Sequence, residues 1–182
     1  MSHAGKALLD PYRVFEAVNL GPGMRVADLG CGRTGHFVFP SSKLVGETGV
    51  VYAVDIIKDI LETIRSRARS EGYLNVQTVW ANIEADGKTA IPGESLDVCF
   101  ITNILSYLKD KTAALREALR LIKSGGYLVV VDWAKKLGPL GPESGSLTSP
   151  QEITALVNGL GVTYVSECAP GDYHYAVIFK KT

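Results

Sequence analysis

The sequence predicts an α/β fold: a three-layer, doubly wound and mostly parallel sheet that ends in an antiparallel β-hairpin. Short apolar runs bounded by turn residues alternate with segments of helical period, the pattern of strands joined by crossover helices. The last two apolar runs, 162–168 and 174–180, are separated by only a short turn. Because a parallel crossover needs a dozen or more residues, these two strands must be antiparallel.

The same pattern predicts the other elements in order. Strands are expected at 26–29, 50–55, 76–80, 96–101 and 127–132. Helices are expected at about 10–20, 36–45, 58–72 and 110–122, and after Ser149. Asp10 and Asp110 are expected to act as N-caps, and Ser149 with Glu152 has the form of a capping box. The stretch 136–149, rich in Gly, Pro and Ser, is expected to be a long loop inside the fold.

Length and composition indicate one domain that spans residues 1–182. Of these residues, 46% are hydrophobic and 21% are charged, which is ordinary for a globular protein and excludes wholesale disorder. The 19 Lys and Arg balance the 19 Asp and Glu, so no net positive charge attracts a polyanion. Arg65, Arg67 and Arg69 are therefore interpreted as a solvated helix face. A nucleic-acid partner is not expected.

The three cysteines have no C-x-x-C spacing, so we expect neither a disulfide framework nor a metal site. The N-terminal stretch, MSHAGKALLDPYRVF, has no basic region followed by an apolar one. No apolar run approaches the roughly 18 residues of a membrane-spanning helix. The sequence therefore predicts a reduced, cytoplasmic protein without a membrane partner.

A glycine-rich turn, residues 30–35, lies between the first predicted strand and a helix. Asp55 ends the next strand, about 20 residues after the turn, where a carboxylate can accept hydrogen bonds from a ribose. This order of a strand, a glycine-rich turn, a helix and an acid predicts a nucleoside-containing cofactor. In a doubly wound sheet, such a ligand lies at the carboxyl ends of the strands.

The residues of this turn are compatible with two classes of cofactor, a dinucleotide and S-adenosylmethionine. Gly30, Gly32 and Gly35 spell the G-x-G-x-x-G of dinucleotide-binding proteins. Asp28, however, comes two residues before the turn, and an anionic pyrophosphate gains nothing from a carboxylate. S-adenosylmethionine carries an ammonium and a sulfonium group, which a carboxylate attracts. Asn82, after the third strand, offers an amide whose donor and acceptor suit an adenine edge.

Segments 26–32 (VADLGCG) and 51–55 (VYAVD) resemble the first motif and its paired acid in class I S-adenosylmethionine-dependent methyltransferases. The closest branch is the small, single-domain one similar to quinone-biosynthesis-type (type 11) methyltransferases. Further matches to it lie at 95–97, 121–126, 132–133, 138–142 and 173–175. The resemblance extends from about Leu9 to Lys180. It implies a Rossmann-like methyltransferase fold, S-adenosylmethionine as cofactor and methyl transfer to an acceptor that we expect to be a small molecule.

By this resemblance, nine residues contact the cofactor. They are Asp28, Gly30, Gly32 and Gly35 at the first turn, Asp55 and Ile56 after the second strand, Asn82 and Ile83 after the third, and Asn103 after the fourth. The first turn would hold the methionine end, and the second strand would contribute the ribose contact and one adenine face. The third strand would contribute the adenine edge, and the backbone after the fourth would face the methionine amine. The turn is one residue longer than is usual, and Asn82 replaces a commoner Asp.

Methyl transfer needs a base only where the acceptor must lose a proton. The sequence offers four candidates for this role: His36, Asp132, His174 and Tyr175. Asp132, at a strand end, is the best placed. The polar-Pro-Pro-aromatic signature of amino-methylating enzymes is absent after the fourth strand, where residues 102–105 read TNIL. Exocyclic base amines are therefore disfavoured as acceptors.

Two other functions stay open on the sequence alone. Tyr107 and Lys111 spell the Y-x-x-x-K of NAD(P)-dependent short-chain oxidoreductases, although Asp110 between them is expected to cap a helix. The same fold could also serve as a non-catalytic, cofactor-binding partner module, since a fold does not settle function.

Overall fold

A computed structural model describes residues 8–139, 141–142 and 146–182. The strands are β1 Arg25–Leu29, β2 Val50–Asp55, β3 Val76–Trp80, β4 Leu96–Thr102, β5 Ile122–Trp133, β6 Val162–Gly171 and β7 His174–Lys181. The helices are α1 Pro11–Ala17, α2 Val38–Val45, α3 Lys58–Glu71, α4 Lys111–Leu121 and α5 Pro150–Val157, with a 3₁₀ turn at Leu105–Tyr107. Part of the predicted loop 136–149 and part of the N-terminal stretch examined for a leader lie outside the described residues.

The strands form a seven-stranded sheet in the order β3-β2-β1-β4-β5-β7-β6. β1 pairs in parallel with β2 and β4, β2 with β3, and β4 with β5. β7 is antiparallel to both β5 and β6, which confirms the predicted terminal hairpin. On one side of β1 lie β2 and then β3, and on its other side lies β4. The strand order therefore reverses at β1, and ligands of such sheets bind at this point.

Helices cover both faces of the sheet. Side chains of α1, α2 and α3 pack against one set of strand residues, and those of α4 and α5 pack against the alternate set. Asp10 and Asp110 cap α1 and α4 by accepting hydrogen bonds of 3.1 and 2.9 Å from backbone N–H groups. The predicted capping box between Ser149 and Glu152 is present at the start of α5.

Several predicted boundaries differ from the structure: β5 begins at Ile122 and not at residue 127, and β6 continues to Gly171. The fourth helix ends at Leu121, and Ile122 instead begins β5, where it pairs with Leu96. Ile122 is fully buried, so its apolar spacing fitted the helix stripe, but its backbone is extended (φ −78°, ψ 135°). α1 ends before the predicted residue 20, and α2 begins at Val38, so His36 precedes that helix.

Within the described ranges, no helix is long and apolar enough to cross a membrane. The same ranges contain no group of three or more His, Cys, Asp or Glu side chains that could hold a metal ion. All three cysteines are described and are free thiols, with Cys31 and Cys99 buried and Cys168 partly exposed.

Candidate active site

The turn after β1 is tight and depends on glycine. The N–H groups of Gly30 and Cys31 both donate to the carbonyl of Val54 in β2, at 2.8 and 3.0 Å. Gly30 and Gly32 have φ angles of 76° and 62°, which favour glycine. A Cβ on Gly30 would lie 2.7 Å from the Ile104 side chain, whereas a Cβ on Gly32 would meet no atom within 4 Å. The backbone at Gly32 therefore faces open space that a ligand can approach.

Asp28, near the end of β1, has a buried carboxylate. The residue is 3% exposed, and its Oδ1 has no hydrogen-bond partner among the described residues. Burial first, and the charge of Asp55 second, raise the pKa of Asp28 to about 7. Because a buried carboxylate oxygen without a partner is costly, this position favours a ligand group that is positively charged or donates a hydrogen bond.

Asp55 ends β2 and ties this strand to the glycine turn. Its Oδ2 accepts a hydrogen bond from the Gly32 N–H at 3.2 Å, and its Oδ1 accepts one from the Ile57 N–H at 3.0 Å. A carboxylate oxygen has more than one lone pair, so both oxygens can still accept from a ligand. The glycine turn and Asp55, which their spacing in the sequence assigned to one cofactor, are therefore in direct contact.

Three further predicted residues follow β2 and β3 and differ in exposure. Ile56 is 55% exposed, whereas Ile83 is buried. Asn82 is exposed, and its Oδ1 accepts a hydrogen bond from the Glu84 N–H at 3.0 Å. Asn82 therefore organises a local turn through its oxygen, and its amide NH₂ group is not part of that bond.

Asn103 and Gly35 complete the predicted set. Asn103 has a φ of 56°, and its N–H donates to the Val131 carbonyl at 2.9 Å. The Oδ1 of Asn103 is buried without a partner among the described residues. A Cβ on Gly35 would lie 2.7 Å from the Phe39 ring and 2.8 Å from Ile64. Close packing of the turn against α2 and α3 therefore explains the glycine at position 35.

The base candidates lie on two faces of the sheet, because successive strand residues point to opposite sides. His174 and Trp133 are on the face covered by α1–α3, since the residues two positions away in their strands pack in that core. Asp132 and Tyr175 are on the face covered by α4 and α5 by the same criterion. His36 lies just before α2 and contacts the Leu9 carbonyl, next in sequence to the Leu8 carbonyl that His174 contacts. The structure therefore separates candidates that the sequence grouped together.

Asp132 and Tyr175 pair across β5 and β7 but differ in their hydrogen bonds. Asp132 accepts from the Trp133 N–H at 2.8 Å through Oδ1, while Oδ2 is buried without a partner in the described part of the chain. Burial raises the pKa of Asp132 to about 6, although the Trp133 N–H, the Lys111 charge and the backbone of Leu105 oppose this change. The Tyr175 hydroxyl donates to the Thr148 carbonyl, and burial raises its pKa.

His36 and His174 both hold the segment that precedes α1. The Nδ1 of His174 lies 2.9 Å from the Leu8 carbonyl oxygen, and the Nε2 of His36 lies 2.8 Å from that of Leu9. A carbonyl can only accept, so both nitrogens donate. His174 is 3% exposed, and burial lowers its pKa. Sequence reasoning missed these contacts, because no local pattern links the beginning of the chain to its last hairpin.

Comparison with known proteins identifies the family. The sequence profile of the family described as "Methyltransferase domain" matches residues 20–156, more than half of the chain. The chain belongs to this methyltransferase family.

The ubiquinone/menaquinone biosynthesis C-methyltransferase UbiE of Shewanella halifaxensis is 36% identical over 122 residues, which are 66% of this chain and 47% of that protein. UbiE of Vibrio vulnificus (strain YJ016) is 38% identical over 63% of this chain and 43% of its own length. The methyltransferase thus spans about half the length of the curated relatives it matches.

Solved structures agree with the family assignment. An S-adenosylmethionine-dependent methyltransferase from Aquifex aeolicus matches with a TM-score of 0.87 and 25% identity, over 100% of this chain and 94% of that chain. A Sulfolobus solfataricus protein assigned to the type 11 methyltransferases matches in fold, with a TM-score of 0.75 and 20% identity over 96% and 94%. The chain therefore has the fold of an S-adenosylmethionine-dependent methyltransferase, in agreement with the family that the sequence profile identifies.

Tyr107 and Lys111 do not lie on one helix, as the Tyr and Lys of a short-chain oxidoreductase would. Tyr107 ends the 3₁₀ turn and is 70% exposed, and Leu108 after it is extended. Lys111 begins α4. Tyr107 and Lys111 therefore do not lie on successive turns of one helix, and the oxidoreductase alternative is not supported.

Two carboxylates that the sequence did not single out hold the loop 81–92 of the methyltransferase against α4. Glu117 is 1% exposed and accepts from the N–H groups of Gly87 at 2.8 Å and Thr89 at 2.9 Å. Glu84 accepts from two backbone N–H groups just before α4, both at 2.7 Å. A glutamate among the apolar residues of the predicted helix was the available signal for Glu117.

Proposed function

We propose that this methyltransferase transfers a methyl group from S-adenosylmethionine to a small-molecule acceptor, and that residues 1–182 act as one catalytic domain. The carboxylate of Asp28 carries the proposal, since its Oδ1 atom is buried without a partner among the described residues, near the open backbone of Gly32. S-adenosylmethionine presents an ammonium group that this carboxylate would attract, whereas it would repel a pyrophosphate. The residues present therefore fit this cofactor.

The methionine end of the cofactor would lie along the glycine turn. Asp28 would accept a charge-assisted hydrogen bond from the ammonium group, and the backbone at Asn103 would face the same group. Gly30 and Gly32 would allow close approach, because neither carries a side chain. Gly35 belongs to this set by the family resemblance, in addition to its packing against α2 and α3.

The nucleoside end would lie after β2 and β3. Asp55 would accept from the ribose hydroxyls through lone pairs that its backbone contacts leave available. The exposed side chain of Ile56 would pack on one face of the adenine. Asn82 and Ile83 would meet the adenine edge, where the Asn82 NH₂ group can donate to a ring nitrogen and its Oδ1 can accept from the exocyclic amine.

When bound, S-adenosylmethionine supplies a methyl group that is already activated by its positively charged sulfur. The chain then contributes mainly orientation, for which effective molarities of roughly 10⁵ M and above are known. The chain also contains the four candidates for a general base that the sequence predicted. Among the described residues, Asp132 and His174 each keep an acceptor atom without a partner. His36 and Tyr175 donate to the carbonyls of Leu9 and Thr148.

A small-molecule acceptor is favoured over nucleic acid because two residues of the arginine cluster are engaged within the chain. Arg65 donates to the Thr78 hydroxyl at 2.8 Å. Arg67 donates to the Thr34 carbonyl at 3.0 Å. The UbiE relatives are named for ubiquinone and menaquinone biosynthesis, but the methyltransferase spans about half their length, so their substrates are not assigned to it.

Thermal unfolding of the full chain with added nucleotides tests the cofactor. S-adenosylhomocysteine at 100 times its Kd should stabilise the native state by about 2.7 kcal/mol, because it binds the folded chain and not the unfolded one. NADH and NADPH should leave the unfolding temperature unchanged. Protection by a nicotinamide cofactor and none by S-adenosylhomocysteine would overturn the proposal.

Label transfer distinguishes an enzyme from a binding module. The chain is incubated with methyl-labelled S-adenosylmethionine and a metabolite extract, and the small molecules are separated afterwards. Label in a metabolite, absent when the chain is omitted, is the expected result. Tight cofactor binding without any label transfer would instead support the non-catalytic module.

A further inference from the structure

The Nε2 atom of His174 has no hydrogen-bond partner among the described residues, although its ring is buried. Nδ1 lies 2.9 Å from the Leu8 carbonyl oxygen and therefore carries the hydrogen. In the neutral ring, Nε2 then carries the lone pair, and burial favours this neutral form by lowering the pKa. His174 is thus held in the tautomer that can accept a proton at Nε2.

His174 shares a face of the sheet with the groups of the proposed cofactor site. Asp28, Thr102 and His174 each lie two residues from a side chain of the core beneath α1–α3, so they point the same way. β4 and β5 separate β1 from β7, which puts roughly 14 Å between these strands at a spacing of about 4.8 Å. The register places His174 level with Trp133, about 13 Å nearer the carboxyl ends of the parallel strands than Asp28, which is level with Val129. A methyl donor that extends from Asp28 beyond the end of β4 would therefore leave space for a small ring between its methyl group and the imidazole on β7.

An indole borders the same position. The ring centroid of Trp133 lies 4.3 Å from that of His174, with the two planes inclined by 40°. Such a surface favours a flat aromatic ligand. Thr102 Oγ1, also on this face, is buried without a partner in the described part of the chain. The groups without partners here are acceptors or hydroxyls, which suits a ligand that brings a donor hydrogen.

We propose, on the basis of the proposed function, that Nε2 of His174 accepts a proton from the methyl acceptor, and that this acceptor is an aromatic compound bearing an O–H, S–H or N–H group. The nucleophilic atom of the acceptor forms a bond to the methyl carbon while the carbon–sulfur bond of the donor breaks. The electron pair of that bond stays on sulfur, which becomes a neutral thioether. The acceptor's proton passes to Nε2, and the resulting imidazolium keeps its Nδ1 hydrogen bond to Leu8.

Access to Nε2 requires a local movement. Nε2 is closed to solvent in this structure, and the Leu8 carbonyl lies at the opposite nitrogen of the same ring. We therefore expect Trp133 or the segment that contains Leu8 and Leu9 to move when the acceptor binds. A water molecule that merely fills the space at Nε2 is the competing explanation, and the experiment below separates the two.

Nitrogen NMR of the histidine rings tests the proposal on the full chain saturated with S-adenosylhomocysteine. The chain has three histidines, and the variants His174→Asn and His36→Gln assign the resonances. The probes are phenol, benzenethiol and aniline, each compared with its fully methylated counterpart: anisole, thioanisole and N,N-dimethylaniline. At least one protic probe should shift the Nε2 resonance of His174, and its methylated counterpart, which lacks the donor hydrogen, should not at the same concentration.

The opposite results are equally clear. If no protic probe shifts Nε2, or if each pair shifts it equally, the proposal is overturned, while retained binding of S-adenosylhomocysteine leaves the proposed function intact. Failure to bind S-adenosylhomocysteine at all would instead remove the proposed function, and this inference with it.

For any probe that takes up label from methyl-labelled S-adenosylmethionine, His174→Asn gives a kinetic test. Asparagine keeps a donor near the position of Nδ1 and removes Nε2, so the bond to Leu8 can persist. We expect kcat to fall about 100-fold or more and KM to change less than about threefold. An unchanged kcat in a variant that unfolds at the wild-type temperature would refute the role of Nε2.

Discussion

At the scale of single residues, Asp28 makes the chain less stable unless a ligand compensates. Burial raises its pKa from 3.8 to about 7. Between these pH values the folded chain retains a proton that the unfolded chain has released, so the free energy of unfolding decreases as the pH rises from about 4 to 7. A cationic ligand group reverses this balance, because it favours the ionised carboxylate.

Asp28→Asn is expected to separate stability from binding. At pH 8 the neutral amide removes a buried charge, so the free energy of unfolding should increase by about 1–3 kcal/mol. Affinity for S-adenosylhomocysteine should fall about 30-fold, because the ammonium group loses a charged partner. Denaturant titration and calorimetry measure the two effects, and wild-type affinity should rise from pH 6 to 8.

The exposed acid Asp59 on α3 provides the control for this substitution. Asp59→Asn should change neither stability nor affinity by more than about 0.5 kcal/mol. An Asp28→Asn variant that binds as tightly as the wild type would contradict the role of the carboxylate.

At the scale of elements, α4 determines the position of the loop between β3 and β4. Burial alone would raise the pKa of Glu117, but hydrogen bonds from Arg120 and from the N–H groups of Gly87 and Thr89 lower it to about 2. Arg120 donates to both carboxylate oxygens at 2.8 Å and to the Thr89 carbonyl at 3.2 Å. One helix therefore holds, through its charged groups, the loop that the proposed function places at the adenine.

Glu117→Gln should destabilise the chain by about 2–4 kcal/mol at pH 7, because a neutral side chain leaves a buried network of donors without its charged acceptor. The lowered pKa gives the sign of the pH dependence: the stabilisation is present above about 4.5, the ordinary pKa, and is lost as the pH falls towards 2. The difference between variant and wild type should therefore shrink in acid, as measured by denaturant titration at several pH values.

A matched substitution exists on the same loop. Asp86 pairs with Arg116 at 3.3 Å, and both side chains are largely exposed. Asp86→Asn should cost less than about 0.5 kcal/mol, since exposed ion pairs contribute little. Equal losses for the two variants would contradict the role assigned to the buried carboxylate.

At the scale of the whole molecule, the segment before α1 closes on the last hairpin. The Asp10 N–H donates to the Pro170 carbonyl at 2.7 Å, and His174 contacts the Leu8 carbonyl across 166 positions of sequence. Leu9 is 6% exposed and belongs to the core beneath α1–α3. This closure places the segment beside the candidate site as well as in the core.

Leu9→Ala should lower the free energy of unfolding by about 2–4 kcal/mol, because it removes a buried side chain and leaves a cavity. Leu74→Ala provides the control with the same chemical change, since Leu74 is 94% exposed and should cost less than about 0.5 kcal/mol. Chemical denaturation measures both. A Leu9 variant as stable as the Leu74 variant would show that the segment does not pack on the sheet.

Local patterns in the sequence predicted the elements and the glycine turn with its two acids. Apolar periodicity and turn residues depend on the backbone geometry of a few neighbouring residues, so strands, helices and caps could be placed to within a few positions. Asp28, Gly32 and Asp55 belong to one strand–helix–strand unit, and their spacing predicted that they serve one ligand. The hydrogen bond from the Gly32 N–H to Asp55 was not predicted and is known only from the structure. Ile122 was misassigned because a buried residue looks alike in a helix and a strand.

The sequence by itself determined the fold class and the glycine turn with its two acids, because these depend on local patterns, and its motifs indicated the family by resemblance. Only the tertiary structure decided that Asp132 and His174 lie on opposite faces of the sheet, that Glu117 receives the loop before β4, and that Leu8 meets His174. These contacts depend on strand order and register, which long-range packing sets and no short stretch of sequence encodes.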